Sequence, residues 1–126
     1  MRTSQQANGG YSIRDADLVT DAASITELWA RNLNGYDLKA ASAKLIRGYR
    51  DNPAGGASVQ LLAVQGEPVA VGAQGLHSRT FWLGDRSLSD IGLGDFVVNE
   101  AHRSLWPALL LIRHCIQLGT ERFDLT

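Results

Sequence analysis

The residues with the most chemistry to offer lie close together, in the stretch Asp95-Phe96-Val97-Val98-Asn99-Glu100-Ala101-His102-Arg103-Ser104-Leu105-Trp106-Pro107-Ala108. An apolar run from Leu109 to Leu118 follows. The stretch reads as a strand, a tight loop and the start of a helix. That geometry suits an anion, because loop amides and the helix N-terminus point the same way and the helix dipole favours negative charge there. Arg103 adds a guanidinium able to make charge-assisted bonds to phosphate. Asp95 and Glu100 are the candidate proton acceptors, with Asp90 further up the strand. His102 reads as a surface turn residue.

Other reactive side chains carry less. His77 and His114 have no partner at metal-ligand spacing and read as exposed or helix-surface histidines. Cys115, the single cysteine, falls on an apolar helical face and reads as a small buried hydrophobe. It excludes an internal disulfide and a cysteine-based metal cluster. Asp15, Asp17 and Asp21 lack the glycine and distal glutamate of a calcium loop, so a solvated turn is expected. No metal site is expected.

These residues must be positioned by the elements around them. Met1 to Gly10 is polar and reads as a frayed tail, with one domain over residues 11–126. Tyr11 to Arg14 alternates as a first strand. Ser24 and Glu27 have capping-box spacing before a helix with Ile25, Leu28, Trp29 and Leu33 on one face. Asp37 caps a second helix with Leu38, Ala41, Leu45 and Tyr49 inward, stopped by Pro53 and Gly55-Gly56. From Ala57 the period becomes two. Strands are expected at Ala57–Val64, Val69–Leu76, Thr80–Leu83 and Ser87–Val98, with a bulge or close approach at Gly92 and Gly94. Pro107 suits a first helical turn, and Gly119 reads as the C-terminal cap. Arg122 to Leu125 reads as the start of another strand. Trp29 and Trp82 are expected in the core or on a sheet face. Trp106, at a helix start, either covers the interior, lines a cofactor groove or makes a subunit contact.

Composition narrows the function. The 126 residues carry 44% hydrophobic and 20% charged side chains, enough for one core. A net charge of −1 offers no basic surface for nucleic acid. The longest apolar run, Pro107 to Ile112, is too short for a membrane span, and the N-terminus lacks an apolar signal core. A cytoplasmic protein is expected.

The element order, closing on an arginine-bearing loop before a helix, resembles the GNAT family of acyl-CoA-dependent N-acyltransferases. In that family the central strand is followed by Gln/Arg-x-x-Gly-x-Gly/Ala, whose loop amides hold the pyrophosphate of coenzyme A. Arg103 fits the first position and Ala108 the last, and Phe96 to His102 look like the central strand and the turn after it. Trp106 stands where the family has glycine. The resemblance implies an α+β (mixed α/β) fold with a central, mostly antiparallel sheet and flanking helices. It covers nearly the whole chain but about the first two-thirds of the family fold, whose last strands would lie beyond Thr126.

The same resemblance implies acetyl-CoA or another acyl-CoA as co-substrate and a small-molecule or peptide amine as acceptor. It assigns Phe96, Val97, Val98, Arg103, Ser104, Leu105, Trp106, Pro107 and Ala108 to the cofactor. A backbone N–H of Phe96 to Val98 would bind the thioester carbonyl, and Asp95 and Glu100 are the candidate catalytic bases. Arg-Ser-Leu followed by Pro-Ala is similar to a subgroup linked to surface polysaccharide or lipid modification. The alternative is a non-catalytic or truncated module acting by protein association, with a free sheet edge pairing two copies into a homodimer.

Overall fold

The computed structural model describes residues 9–53 and 55–123. Strand β1 (Tyr11–Asp15) leads to helices α1 (Ala22–Asn32) and α2 (Leu38–Leu45), the latter running on into a π-helical turn, Ile46–Arg50. Three strands follow, β2 (Ser58–Val64), β3 (Gly72–Leu83) and β4 (Arg86–Val98). A 3-10 turn, Glu100–His102, then leads into α3 (Leu105–Arg122). The four strands form one antiparallel sheet in the order β1-β2-β3-β4. The α+β architecture with flanking helices is as expected.

Alternation along the strands loads both faces of the sheet. On one face Ile25, Leu28 and Trp29 of α1 and Ala41, Leu45 and Tyr49 from α2 and its π turn pack on Val59, Leu61, Ala73 and Val97. On the other, Leu111 and Cys115 of α3 pack with Leu62, Leu76 and Ile91. Pro107, Leu111, Cys115 and Gly119 form the buried stripe of α3 at four-residue spacing. Gln60, buried under α3, joins Asp15 to His114, whose Nε2 lies 3.1 Å from Gln60 Oε1.

Several boundaries differ from expectation. Helix α1 starts at Ala22, so Ser24 and Glu27 lie inside it; Asp21, at the N-cap position, makes no side-chain cap bond, its carboxylate gripping Arg14 in a two-pronged pair. Asp37 does cap α2, accepting from the Ala40 amide at 2.7 Å, but Leu38 is exposed. Gly10 belongs to the ordered chain, its carbonyl accepting from the Gln65 amide. Strand β3 is continuous from Gly72 to Leu83, so the two strands expected there are one. It turns into β4 through Gly84-Asp85, with Gly84 at φ 66°, the positive value this two-residue hairpin needs. Helix α3 runs through Gly119 to Arg122, since Gly119 lies on the buried stripe and Phe123 takes the cap position. Of the strand expected from Arg122, the first residue is helical and Asp124 to Thr126 lie outside the described residues.

Two features of β3 and β4 position the candidate site. Pairing of β2 with β3 ends at Ser58 opposite Leu76, so β3 from His77 to Leu83 pairs with β4 alone and forms a two-stranded arm. Nearer the centre the register slips. Ala73 faces Val97 but Gly75 faces Gly94, so Asp95 and Phe96 together oppose Gln74. This β-bulge holds Asp95 at φ 52°, in the left-handed region. It sits one residue beyond Gly94, where the glycine pattern had pointed.

Candidate functional site

Where β4 leaves the sheet, a cleft of about 580 Å³ opens against the start of α3. Phe96, Val97 and Val98 form one wall, and Ser104, Leu105 and Ala108 the other, with Asn32 and Arg103 at the mouth. The local sequence builds it. Asn99 donates from its amide to the Val71 carbonyl at 2.7 Å, which ends the strand pairing. Glu100 to His102 make one tight turn, and Ser104 takes an extended conformation as the residue before α3. Its side chain makes no cap bond, so the first amides of α3 keep their donor capacity, and Pro107 removes one donor from that turn.

In an antiparallel ladder successive residues point alternately toward and away from the partner strand. The Asn99 amide points toward β3, so Val98 points to the outer edge, where its carbonyl accepts from Arg103 Nε at 3.0 Å. Arg103 Nη2 donates to Asn32 Oδ1 at 2.7 Å, and Asn32 Nδ2 donates to Asn99 Oδ1 and to the Leu28 carbonyl. One asparagine at the end of α1 therefore ties the helix, the strand end and the arginine together.

Seven of the nine residues expected at a cofactor are brought to this cleft: Phe96, Val97, Val98, Arg103, Ser104, Leu105 and Ala108. Trp106 and Pro107 are not among its walls. Pro107 is buried in the α3 stripe, and Trp106 is 44% exposed. Glu100 is exposed and borders a neighbouring polar hollow with Arg31, Asn34 and Arg103. His102 is more than a surface turn residue. Its Nδ1 lies 2.9 Å from the Tyr11 hydroxyl, and the rings meet edge to face, holding the turn to β1.

Asp95 lies at the bulge, on the face covered by α1 and α2. Its carboxylate accepts from the Tyr49 hydroxyl at 2.5 Å and the Tyr36 hydroxyl at 3.4 Å. His77 Nε2 is 3.2 Å away and Lys44 Nζ 3.8 Å. Burial pushes the Asp95 carboxyl upward, but the hydrogen bonds from His77 and Tyr49 and the charge of Lys44 outweigh it and hold the group below the usual carboxylate range. Tyr49 is raised, first by burial and then by Asp95. Sequence reasoning missed His77, Tyr49, Tyr36, Lys44 and Asn32. Gly75 and Gly94 were the available signal: they face each other across the strands, and the Tyr49 and His77 rings lie against them. Among the described residues no three His, Cys, Asp or Glu side chains gather as metal ligands, and no helix is long and apolar enough to cross a membrane.

No protein-family profile matches this sequence, and no curated protein does. Solved structures do. A GNAT family acetyltransferase of Staphylococcus aureus superposes with a TM-score of 0.67 at 12% identity, over 92% of this chain and 83% of that one. The fold is that of the GNAT acetyltransferases. An acetyltransferase of Trypanosoma brucei gives 0.60 at 18% identity over 92% and 82%. A ribosomal-protein-alanine N-acetyltransferase of Brucella melitensis gives 0.61 at 20% identity over 91% and 76%. In the described sheet β4 is an edge strand, its bulge lies beside the candidate site, and the N-terminus of α3 faces the cleft.

Proposed function

We propose that this chain is an acyl-CoA-dependent N-acyltransferase that moves an acetyl group from acetyl-CoA to an amine. The observation that carries the reading is the cleft between the outer edge of β4 and the N-terminus of α3, with Arg103 at its mouth. Its size suits a ligand of a few hundred cubic ångströms and its walls combine apolar side chains with a few directed polar groups. The donor set suits a pyrophosphate: the first-turn amides of α3, the Ser104 hydroxyl and the Arg103 guanidinium. Trp106 is not among the cleft's lining residues, so its indole does not fill the cleft.

Bound there, acetyl-CoA supplies a thioester carbonyl activated for attack by an amine. Residues of this chain do the rest. Ser104, Leu105 and Ala108 hold the phosphate end, and Phe96 to Val98 line the path of the thioester arm. An outward backbone N–H of β4 is the group suited to bind the carbonyl oxygen as charge develops on it. An amine on a surface-polysaccharide or lipid precursor is the acceptor class we favour, from the Arg103-Ser104-Leu105 and Pro107-Ala108 resemblance.

Titration calorimetry with acetyl-CoA and coenzyme A tests the reading. Micromolar binding, lost in Ala108→Glu and weakened about tenfold in Arg103→Ala, is expected. No binding at high micromolar concentration overturns it. A second reading, a non-catalytic module acting by association, draws on the outer edge of β4, which pairs with no strand of the described residues. It predicts a homodimer by light scattering and no affinity for acetyl-CoA.

A further inference from the structure

Acyl transfer to an amine needs a group that removes a proton from the acceptor ammonium, and the polar cluster beside the bulge contains one with a defined lone pair. Tyr49 Oη lies 2.7 Å from His77 Nε2 and 2.5 Å from Asp95 Oδ2, and His77 Nε2 is 3.2 Å from the same carboxylate oxygen. An ionised carboxylate only accepts, and a tyrosine hydroxyl has one proton to give. For a neutral imidazole the three contacts are satisfied together in one way. Tyr49 donates to Asp95, and His77 Nε2–H donates toward Tyr49 Oη and Asp95. The imidazole proton is thereby fixed on Nε2 and the lone pair on Nδ1. Nδ1 makes no hydrogen bond among the described residues, and the side chain is 26% exposed.

The seat for this arrangement is built into the backbone. A Cβ at Gly94 would stand 3.2 Å from His77 Nε2, and one at Gly48 would stand 3.7 Å from Cε1. Asp95 reaches the cluster only by adopting the left-handed conformation of the bulge, which L side chains rarely take. The same bulge borders the cleft through Phe96. The titratable groups facing the imidazole are Tyr49 and Lys44 from α2 and its π turn, Asp95 from β4, and Tyr36 from the loop between α1 and α2. Arg79 and Asp90, paired with each other, come next along the same face.

We propose that His77, through Nδ1, deprotonates the acceptor ammonium, with Tyr49 and Asp95 as positioning residues; the proposal rests on the acyl-transfer reading above. Nδ1 takes one proton from R–NH3+. The freed nitrogen lone pair adds to the thioester carbonyl. The C–S bond breaks with its electron pair going to sulfur, and the second nitrogen proton goes to that thiolate. The products are the amide, the free thiol and an imidazolium that stands against Asp95 and returns its proton to water.

Two measurements test it on the full chain. Long-range proton–nitrogen NMR of the histidine rings reads the tautomer without any variant: in the neutral ring Nε2–H with a bare Nδ1 is expected, and Nδ1–H with a bare Nε2 overturns the proposal. Thiol release from acetyl-CoA is then followed from about pH 5.5 to 9 with phenylethylamine, glucosamine and lysine as acceptors. His77→Gln is expected to lower kcat about 10²- to 10⁴-fold, leave KM for acetyl-CoA within about twofold and abolish the slope-one acid limb, with partial rescue by added imidazole; Tyr49→Phe keeps the limb. A His77→Gln enzyme with the wild-type limb and kcat overturns the proposal while leaving acyl transfer standing. Binding of acetyl-CoA without turnover overturns the role of His77. Absence of binding overturns the acyl-transfer reading and this inference together.

Discussion

Tyr49 lies on the bare backbone of Gly75, so close that a Cβ built on that glycine would be 1.8 Å from the tyrosine oxygen. The ring has no room to retreat, because Trp29 and His77 stand against it with centroids 5.6 and 4.5 Å away. Gly75→Ala is therefore expected to destabilise the fold by about 1–3 kcal/mol through overpacking, and Tyr49→Ala by about 3–5 kcal/mol through the cavity it leaves. The two are expected to couple: once Tyr49 is truncated, Gly75→Ala becomes nearly neutral. Urea unfolding of both single variants and the double variant measures this, and simple additivity would contradict the packing.

Asp95→Asn keeps the size of the side chain and tolerates the left-handed backbone, but removes the charge that four donors converge on. A stability loss of about 1–3 kcal/mol is expected near neutral pH. The native carboxyl is held low, so its contribution is fully present above the unfolded value of about 3.9 and is lost as pH falls through the lower folded value. The variant should therefore show a shallower decline in stability below about pH 4 than the parent. An unchanged acid limb would place the carboxylate outside the network.

His114 behaves oppositely to a salt-bridged histidine. Partial burial of its ring, on α3 and against Gln60, pushes its pKa down despite the opposing pull of Asp15. The unfolded chain takes up the proton first, at about pH 6.5, so stability is full above that pH and falls as pH drops toward the folded value. Urea midpoints at about pH 7.5 and 5.5 should differ in the parent and differ less in His114→Gln.

Cys115 is fully buried, and burial pushes its thiol up to about 12. A disulfide reagent is expected to modify it promptly in denaturant and, in native buffer, no faster than the protein unfolds. Rapid labelling in buffer would contradict the packing of α3.

The elements that sequence reasoning located correctly are those with local causes. Asp37 caps α2 because an aspartate one residue before an amphipathic run bonds the third amide of that run. The loop from Arg103 to Ala108 is equally local, and so most of its residues could be assigned to one site. The misread boundaries have distant causes. Gly119 stays helical because it lies where α3 meets the sheet, and α1 begins before the expected Ser24 cap, at Ala22, behind an Asp21 whose carboxylate Arg14 takes. His77, Tyr49 and Asp95 meet across 46 positions of chain or fewer, but only once β3 and β4 pair with a slipped register. No period in the sequence marks that meeting; paired glycines do, though they do not name the rings that occupy the space.

The β3–β4 arm has its own consequence. Beyond Leu76 strand pairing joins β3 to β4 alone, and Thr80 to Ser87 are all exposed, with Trp82 67% and Leu83 64% open. A two-stranded ribbon by itself is marginal in water. The arm is thus expected to fray from Gly84 inward while the helices stay packed. Its amides should exchange with deuterium well before those of Ala73 and Val97, with protection rising step by step toward His77. The imidazole therefore sits at the boundary between the part of the sheet that breathes and the part that does not.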